Sequence, residues 1–261
     1  SFIGAIGGAG DTAFQNWTCS SGTANFTGSA SIPASNNCVS SLARTAAAPA
    51  ASVCPAGTTD AGTNSNYRLC RLPALVSGTV TLNAVDGVAY QINGRVDVGT
   101  DVGATGAGGA AATLNVGAGA LFVANNADAA NDFLVVNRGS KLNAVGTASA
   151  PIIFTSAQNL NPASVSESSQ GQWGGIILAG RAPISNCSSG SNDAGGTSTT
   201  CENVVEGTGN ALYGGNVAND SSGTVQYVQI RYSGIEISLG NELQGLTLGG
   251  TGSGTVIDHV H

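Results

Sequence analysis

The sequence predicts an all-β protein: a parallel β-helix, or solenoid, preceded by a disulfide-stapled, loop-rich N-terminal cap. Three observations lead there. A glycine-bounded phrase returns, Gly175-Ile176-Ile177-Leu178-Ala179-Gly180 reappearing as Gly245-Leu246-Thr247-Leu248-Gly249-Gly250, and Gly223-Thr224-Val225-Gln226-Tyr227-Val228 is answered by Gly254-Thr255-Val256-Ile257-Asp258-His259-Val260. Only 9% of the 261 residues are charged while Gly numbers 39, a balance that starves long surface helices of Glu, Lys and Arg, yet hydrophobic residues reach 41%, too apolar for a solvated coil. Short apolar runs divided by turn residues fill most of the chain.

Residues 1–75 form the expected cap. They hold Cys19, Cys38, Cys54 and Cys70, an Ala/Pro-rich patch from Ala46 to Ala51, and the aromatics Phe2, Phe14, Trp17 and Phe26, which would supply a small core of their own. A solenoid needs such a cover, because an exposed stack of unpaired strands invites aggregation. From residue 76 to 261 the pattern becomes that of solenoid rungs: Val76–Leu82 and Tyr90–Val98 alternate, then come Thr113–Val116, Ala120–Val123, Phe133–Val136, Lys141–Val145 and Ile152–Thr155, with Gly, Asn, Asp or Pro at nearly every break. Runs this short, with no amphipathic helix between them, fit the faces of a β-helix better than an α/β domain. Two segments interrupt the rungs, the Gly/Ala-rich stretch 101–112 and an excursion at 185–222 that Cys187 and Cys201 would tie at its base. Insertions of this kind often carry binding, so the excursion is a first candidate for a functional surface.

The six cysteines contain no Cys-x-x-Cys pair of the sort used in zinc or redox sites, which leaves disulfides as the leading reading. Fifteen connectivities are possible; sequential pairing gives three compact loops, Cys19–Cys38, Cys54–Cys70 and Cys187–Cys201, and implies an oxidising compartment. Four Asn-x-Ser/Thr sequons stand at Asn16, Asn25, Asn186 and Asn219, a number close to chance in so Ser/Thr/Asn-rich a chain. The chain lacks Met altogether, which suggests a processed product, and no apolar run approaches a membrane-spanning helix. A formal net charge of −7 with scattered basic residues argues against nucleic acid, which demands a basic footprint.

Several stretches together resemble a family. Gly171-Gln-Trp-Gly-Gly-Ile-Ile-Leu-Ala-Gly-Arg-Ala-Pro183, Glu206-Gly207, Tyr213-Gly-Gly215, Asp220-Ser-Ser-Gly-Thr-Val-Gln-Tyr-Val-Gln-Ile-Arg-Tyr-Ser-Gly234 and the run from Asn241 to Val260 are similar to bacterial secreted or cell-surface β-helix proteins, most of them uncharacterised. The likeness covers about residues 76–261, with an opening echo at Phe2-Ile-Gly-Ala and Trp17. It implies a right-handed parallel β-helix outside the cytoplasm with no enzymatic activity attached. Such proteins usually continue past the Asp-His-Val segment, whereas this sequence stops at His261; an open stack there would let another subunit add on, so assembly into an oligomer or filament is expected.

Candidate chemistry is sparse. Polysaccharide-cleaving β-helices cluster carboxylates on one strand face beside a base, but the pairs Asp97/Asp101 and Asp128/Asp132 lack the two-residue spacing that would aim them together, and they read as turn carboxylates. Arg138 and Lys141 read as a polar turn, and Trp173 as interior fill. His259 and His261, with Asp258, have the spacing to share a face if the strand is regular and would mark the end surface of the solenoid. No cofactor is expected; Glu236 and Glu242 beside Asn241 are a conceivable calcium position, considered together with Glu202 and Glu206. The expectation is therefore a non-enzymatic structural or adhesive protein, self-assembling through solenoid ends or faces and in contact with surface glycans, and the alternative is a carbohydrate-binding or polysaccharide-cleaving β-helix.

Overall fold

In the computed structural model, residues 53–261 are described, apart from 128–130, 166–168, 191–197 and 239. Cys19, Cys38, the aromatics expected to fill the cap, and Asp128 lie outside the described residues. Three columns of parallel strands carry the chain. The first joins β4 (Thr79–Leu82), β7 (Thr113–Val116), β10 (Lys141–Val145), the first half of β15 (Gly223–Ile230) and β19 (Val256–Val260). The second joins β2 (Tyr67–Arg71), β5 (Val88–Ile92), β8 (Leu121–Ala124), β11 (Ile152–Ser156) and the second half of β15. The third joins β3 (Leu75–Val76), β6 (Arg95–Val98), β9 (Phe133–Val136), β12 (Ile176–Ala179) and β18 (Leu246–Gly249). The chain visits second, third and first column in turn and then begins again one level higher, so successive coils stack into a parallel β-helix.

Turn chemistry explains where each run breaks. The alternating stretches Val76–Leu82 and Tyr90–Val98 are not single strands: Gly78 and Gly94, both at a φ of 65°, swing the chain from one face to the next. The repeated phrase behaves as its repetition implies, with Ile176 over Leu246 and Leu178 over Leu248 in direct register. Its leading glycine is obligatory, since a Cβ on Gly175 (φ 80°) would stand 2.3 Å from the Gln244 carbonyl oxygen of the next coil. The second echo stacks with a one-residue slip from its Gly-Thr start. Val225 lies beside Ile257 and Val228 beside Val260, because register follows the inward apolar positions.

Inward side chains form vertical columns. Cys70, Tyr90, Phe122, Phe154 and Ile230 occupy equivalent positions on consecutive coils of the second face. Tyr90 and Phe122 ring centroids are 5.1 Å apart and those of Phe122 and Phe154 are 4.5 Å apart, the latter pair stacked. The Cys54–Cys70 disulfide closes the lower end of this ladder. Burial raises the pKa of the Tyr90 phenol, whose hydroxyl donates to the Asn83 carbonyl at 2.7 Å. Trp173 is buried among the same side chains and donates its indole N–H to the Arg231 carbonyl.

Two of the three faces are covered on the outside as well. Outer residues of the second face, Leu69, Ala89, Leu121, Val123 and Ile153, pack under Leu160 and Ala157 of the 3-10 turn Ala157–Leu160 and under Ala61 of β1 (Thr59–Asn64), which pairs antiparallel with β2. Outer residues of the third face, Phe133, Val135 and Ile177, lie under two antiparallel hairpins, β13 (Asn203–Val204) with β14 (Leu212–Tyr213) and β16 (Ile235–Ser238) with β17 (Asn241–Leu243). Double coverage explains why β8, β9, β11 and β12 are buried along their whole length and read as apolar runs rather than alternating ones. Phe122→Ala removes the middle ring of the ladder and is expected to cost about 3–5 kcal/mol, read as a lower urea midpoint at unchanged slope; Thr81→Ala, on the uncovered first face, should stay within about 0.5 kcal/mol.

Candidate functional site

The first face alternates between buried and exposed positions, as one sheet side against the core and one in water must. Its outward residues form rows across the coils: Thr79, Thr113 and Lys141 in one, Thr81, Asn115, Asn143 and Thr224 in another. The side-chain amides link one coil to the next, Asn143 Nδ2 donating to Asn115 Oδ1 at 2.9 Å and Asn115 Nδ2 to Thr81 Oγ1 at 3.4 Å. Hydroxyls and amide edges therefore stand at the inter-strand spacing of about 4.8 Å.

Where the first face turns into the second, Tyr227 and His259 lie opposite each other with left-handed backbones, φ 50° and 49°. This conformation costs energy in non-glycine residues and lets the strand bend without breaking its ladder. The two rings stack at a centroid distance of 4.3 Å. Asp258 Oδ1 lies 2.7 Å from His259 Nδ1, and Gln226 Nε2 donates to Asp258 Oδ2 at 2.8 Å. A carboxylate, an amide, an imidazole and a phenol ring thus meet at one half-exposed corner.

Three arginines are engaged internally. Arg138 is 1% exposed; its Nε and Nη2 donate to Asp101 at 2.7 and 2.6 Å, and its Nη1 donates to the Gly214 carbonyl and pairs with Glu202. Burial lowers the guanidinium pKa, but the hydrogen bonds and charges of Asp101 and Glu202 outweigh it and raise the pKa overall. Arg95 grips Asp97, whose Oδ1 also accepts from Asn137 Nδ2 at 2.8 Å. Arg231 is buried among Gln229 and Asn159.

The sequence-predicted residues are distributed unevenly over this frame. Cys54–Cys70 and Cys187–Cys201 are disulfides, as sequential pairing anticipated. Asp258 and His259 join the corner, whereas the left-handed turn at His259 breaks the alternation that would have aimed His261 to the same side; His261 instead continues the second face, its N–H donating to the Val228 carbonyl. Asp97 and Asp101 are partners of Arg95 and Arg138, and Asp132 accepts from the Gly94 N–H. Arg138 is no simple polar turn: it binds three chain segments together. Glu202 sits beside Cys201 and is carried to Arg138 by the disulfide-tied excursion, whose later part, Val205 to Tyr213, covers the third face. Glu236 and Glu242 face each other across a hairpin, and Glu206 is exposed in a turn; among the described residues no group of three or more His, Cys, Asp or Glu is placed to hold a metal ion. Sequence reasoning missed Tyr227 and Gln226. Their signal was the echo itself, which sets Gln226-Tyr227 against Asp258-His259.

The model of a family described as a pectate-lyase like beta helix domain matches residues 77–261. No curated protein and no solved structure matches the chain.

Arg138→Ala strands two carboxylates that are 24% and 26% exposed. Partial solvation places the expected loss at the low end for a broken buried pair, about 3 kcal/mol by urea denaturation, with faster amide exchange in 201–214 as the regional readout.

Proposed function

The chain belongs to the pectate-lyase-like β-helix family, and from that premise we propose that it is an extracellular polysaccharide-binding protein that holds a glycan along its first face. One observation carries the reading: among the described residues two of the three faces are covered by the chain's own loops, and the first presents rows of Thr, Asn and Gln that end at a stacked Tyr227–His259 pair beside Asp258. Sugars are recognised by planar amides and carboxylates that take bidentate hydrogen bonds, and by rings that cover the apolar face of a pyranose. The inter-coil spacing is close to the length of one extended pyranose unit, so neighbouring coils offer equivalent contacts to neighbouring sugars.

Binding without cleavage is the form of the reading that the charges support. Arg95 and Arg138 are tied to their own carboxylates, and the strands of the open face carry Lys141, Asp258 and the adjacent His259 as their ionisable groups. A right-handed coil follows from the handedness of parallel crossover connections. The two disulfides support an oxidising compartment, and secretion by a bacterium is part of the same proposal. An adhesive role is then retention on a glycan surface. Assembly of copies is a second reading, favoured by Val145 and Val256, 43% and 46% exposed on the same face.

A panel of immobilised polysaccharides tests this. At least one should retain the protein, and Asn115→Ala with Asn143→Ala, or Asp258→Ala alone, should weaken retention roughly two- to tenfold each at unchanged Tm, the effect of losing one or two hydrogen bonds. Release of unsaturated or reducing sugars from the retained polymer would replace binding with catalysis. Absence of retention together with a concentration-dependent rise in mass would favour assembly instead.

A further inference from the structure

We infer that the polymer held along the first face is uncharged, a hydroxyl-rich glycan without uronate or sulfate groups. This rests on the glycan reading of that face and adds the chemical class of its ligand. The basis is where the fold puts charge. The sequence holds 8 Lys and Arg against 15 Asp and Glu. In the strands of the first face the one Lys or Arg is Lys141, exposed in the row of Thr79 and Thr113. Arg68 and Arg71 belong to β2 in the second column, and Arg95, Arg138 and Arg231 are held by partners of their own. Arg44 lies outside the described residues.

Both borders of the face are balanced. Arg181 follows β12, where the third face turns into the first. Its Nε donates to the Ala104 carbonyl at 3.3 Å, and a Cβ on Gly106 would stand 2.8 Å from the guanidinium carbon, so the group lies against that backbone. The Arg181 backbone N–H donates to Asp220 Oδ2 at 2.8 Å, which sets a carboxylate at the same border. At the other border stands Asp258, in contact with His259. Lys141 and Arg181 are thus matched by Asp220 and Asp258. The face and its edges are close to neutral on a chain whose net charge is −7.

An acidic polysaccharide laid along the coils brings roughly one negative charge per sugar, close to one per inter-strand step of about 4.8 Å. Across β4, β7, β10, β15 and β19 several anions would meet one lysine and one half-buried arginine. Surfaces that take polyanions supply a run of cations and gain from counterion release; here the field of the whole chain opposes approach. Calcium bridges carboxylates only where the protein gathers oxygen ligands of its own. Asp258 is the one carboxylate in the strands of this face, and among the described residues no three His, Cys, Asp or Glu side chains converge. What the rows do supply is hydroxyl and amide groups, from Thr79, Thr81, Thr113, Asn115, Asn143 and Thr224. These groups donate and accept alike, as sugar hydroxyls do, so a neutral sugar is met without stripping any ion of water.

Retention of the full chain on matched pairs of polymers provides the test. The neutral members are a β-glucan, a mannan and a fully methyl-esterified polygalacturonate, each set beside the counterpart that carries C6 carboxylates. At least one neutral polymer should bind, and its carboxylated counterpart should bind at least about tenfold more weakly at about 50 mM sodium chloride, the gap narrowing towards about 300 mM as screening shortens the reach of the charges. The Kd of the neutral form should stay within about twofold over that range. Thr79→Lys with Thr113→Lys, which extends the row of Lys141 with two further cations, should raise affinity for the carboxylated form about tenfold at unchanged Tm and make it fall with salt. Binding of the carboxylated form that equals or exceeds that of the neutral one, alone or with calcium chloride present, overturns the inference. If Asn115→Ala with Asn143→Ala weakens that binding, the first-face reading stands while this one fails. Failure of every polymer, neutral or charged, to retain the protein removes both.

Discussion

In-register stacking of one coil on the next is the constraint on which the rest of the molecule depends. Each strand is short and, alone, could neither hold its backbone pairing nor bury its apolar side. Placed between two copies of itself, it does both: every inward side chain lies over an equivalent one, Tyr90 to Phe122 to Phe154 being the largest such column. Stability in this arrangement is close to a sum of neighbour terms. A change of volume at Phe122 is therefore felt above and below, while a change at an outward threonine reaches no further than its row.

Stacking settles the inside but leaves three outer sheet surfaces to be dealt with. The protein treats them differently. Apolar outer residues on the second and third faces require covers, and the segments between rungs supply them: the β1 hairpin and the 157–160 turn on one, the two hairpins on the other. The Cys187–Cys201 bridge and the Arg138 ion pairs belong to this task, since they fasten the excursion to the coil beneath it. Long insertions that look available for binding are thus largely spent as walls. Among the described residues, what remains uncovered is the face whose outer positions are Thr, Asn, Gln and Lys, and function is most economically placed there.

Charge follows the same division. Of the acidic groups expected to act as turn carboxylates, Asp101 and Asp132 accept from the Gly103 and Gly94 N–H groups, while Asp97 and Asp101 are also held by Arg95 and by Arg138, which the fold has drawn inside. Arg138 is fully compensated and acts as a rivet. Arg231 donates instead to the side-chain amides of Gln229 and Asn159. The Tyr227–His259 corner is a third case, where backbone strain is tolerated because the stacked rings and the Asp258–Gln226 bond fix both residues in place.

Much of this was legible in the sequence. The Gly-x-x-Leu-x-Gly repeat, short runs bounded by glycine and cysteine spacing depend on local backbone preference and on chain entropy, both properties of residues near one another along the chain; they pointed to a β-solenoid and, among fifteen connectivities, to the sequential pairs Cys54–Cys70 and Cys187–Cys201 that the structure contains. What no local pattern carried is which residues come together from different coils. The union of Arg138 with Asp101 and Glu202, the contact of Arg231 with Gln229 and Asn159, the covering of two faces and the pairing of Tyr227 with His259 were decided by register between coils and by where the insertions fold back. Alternation shows that a strand has two sides, but only neighbouring segments determine whether the outer side meets water or another part of the chain.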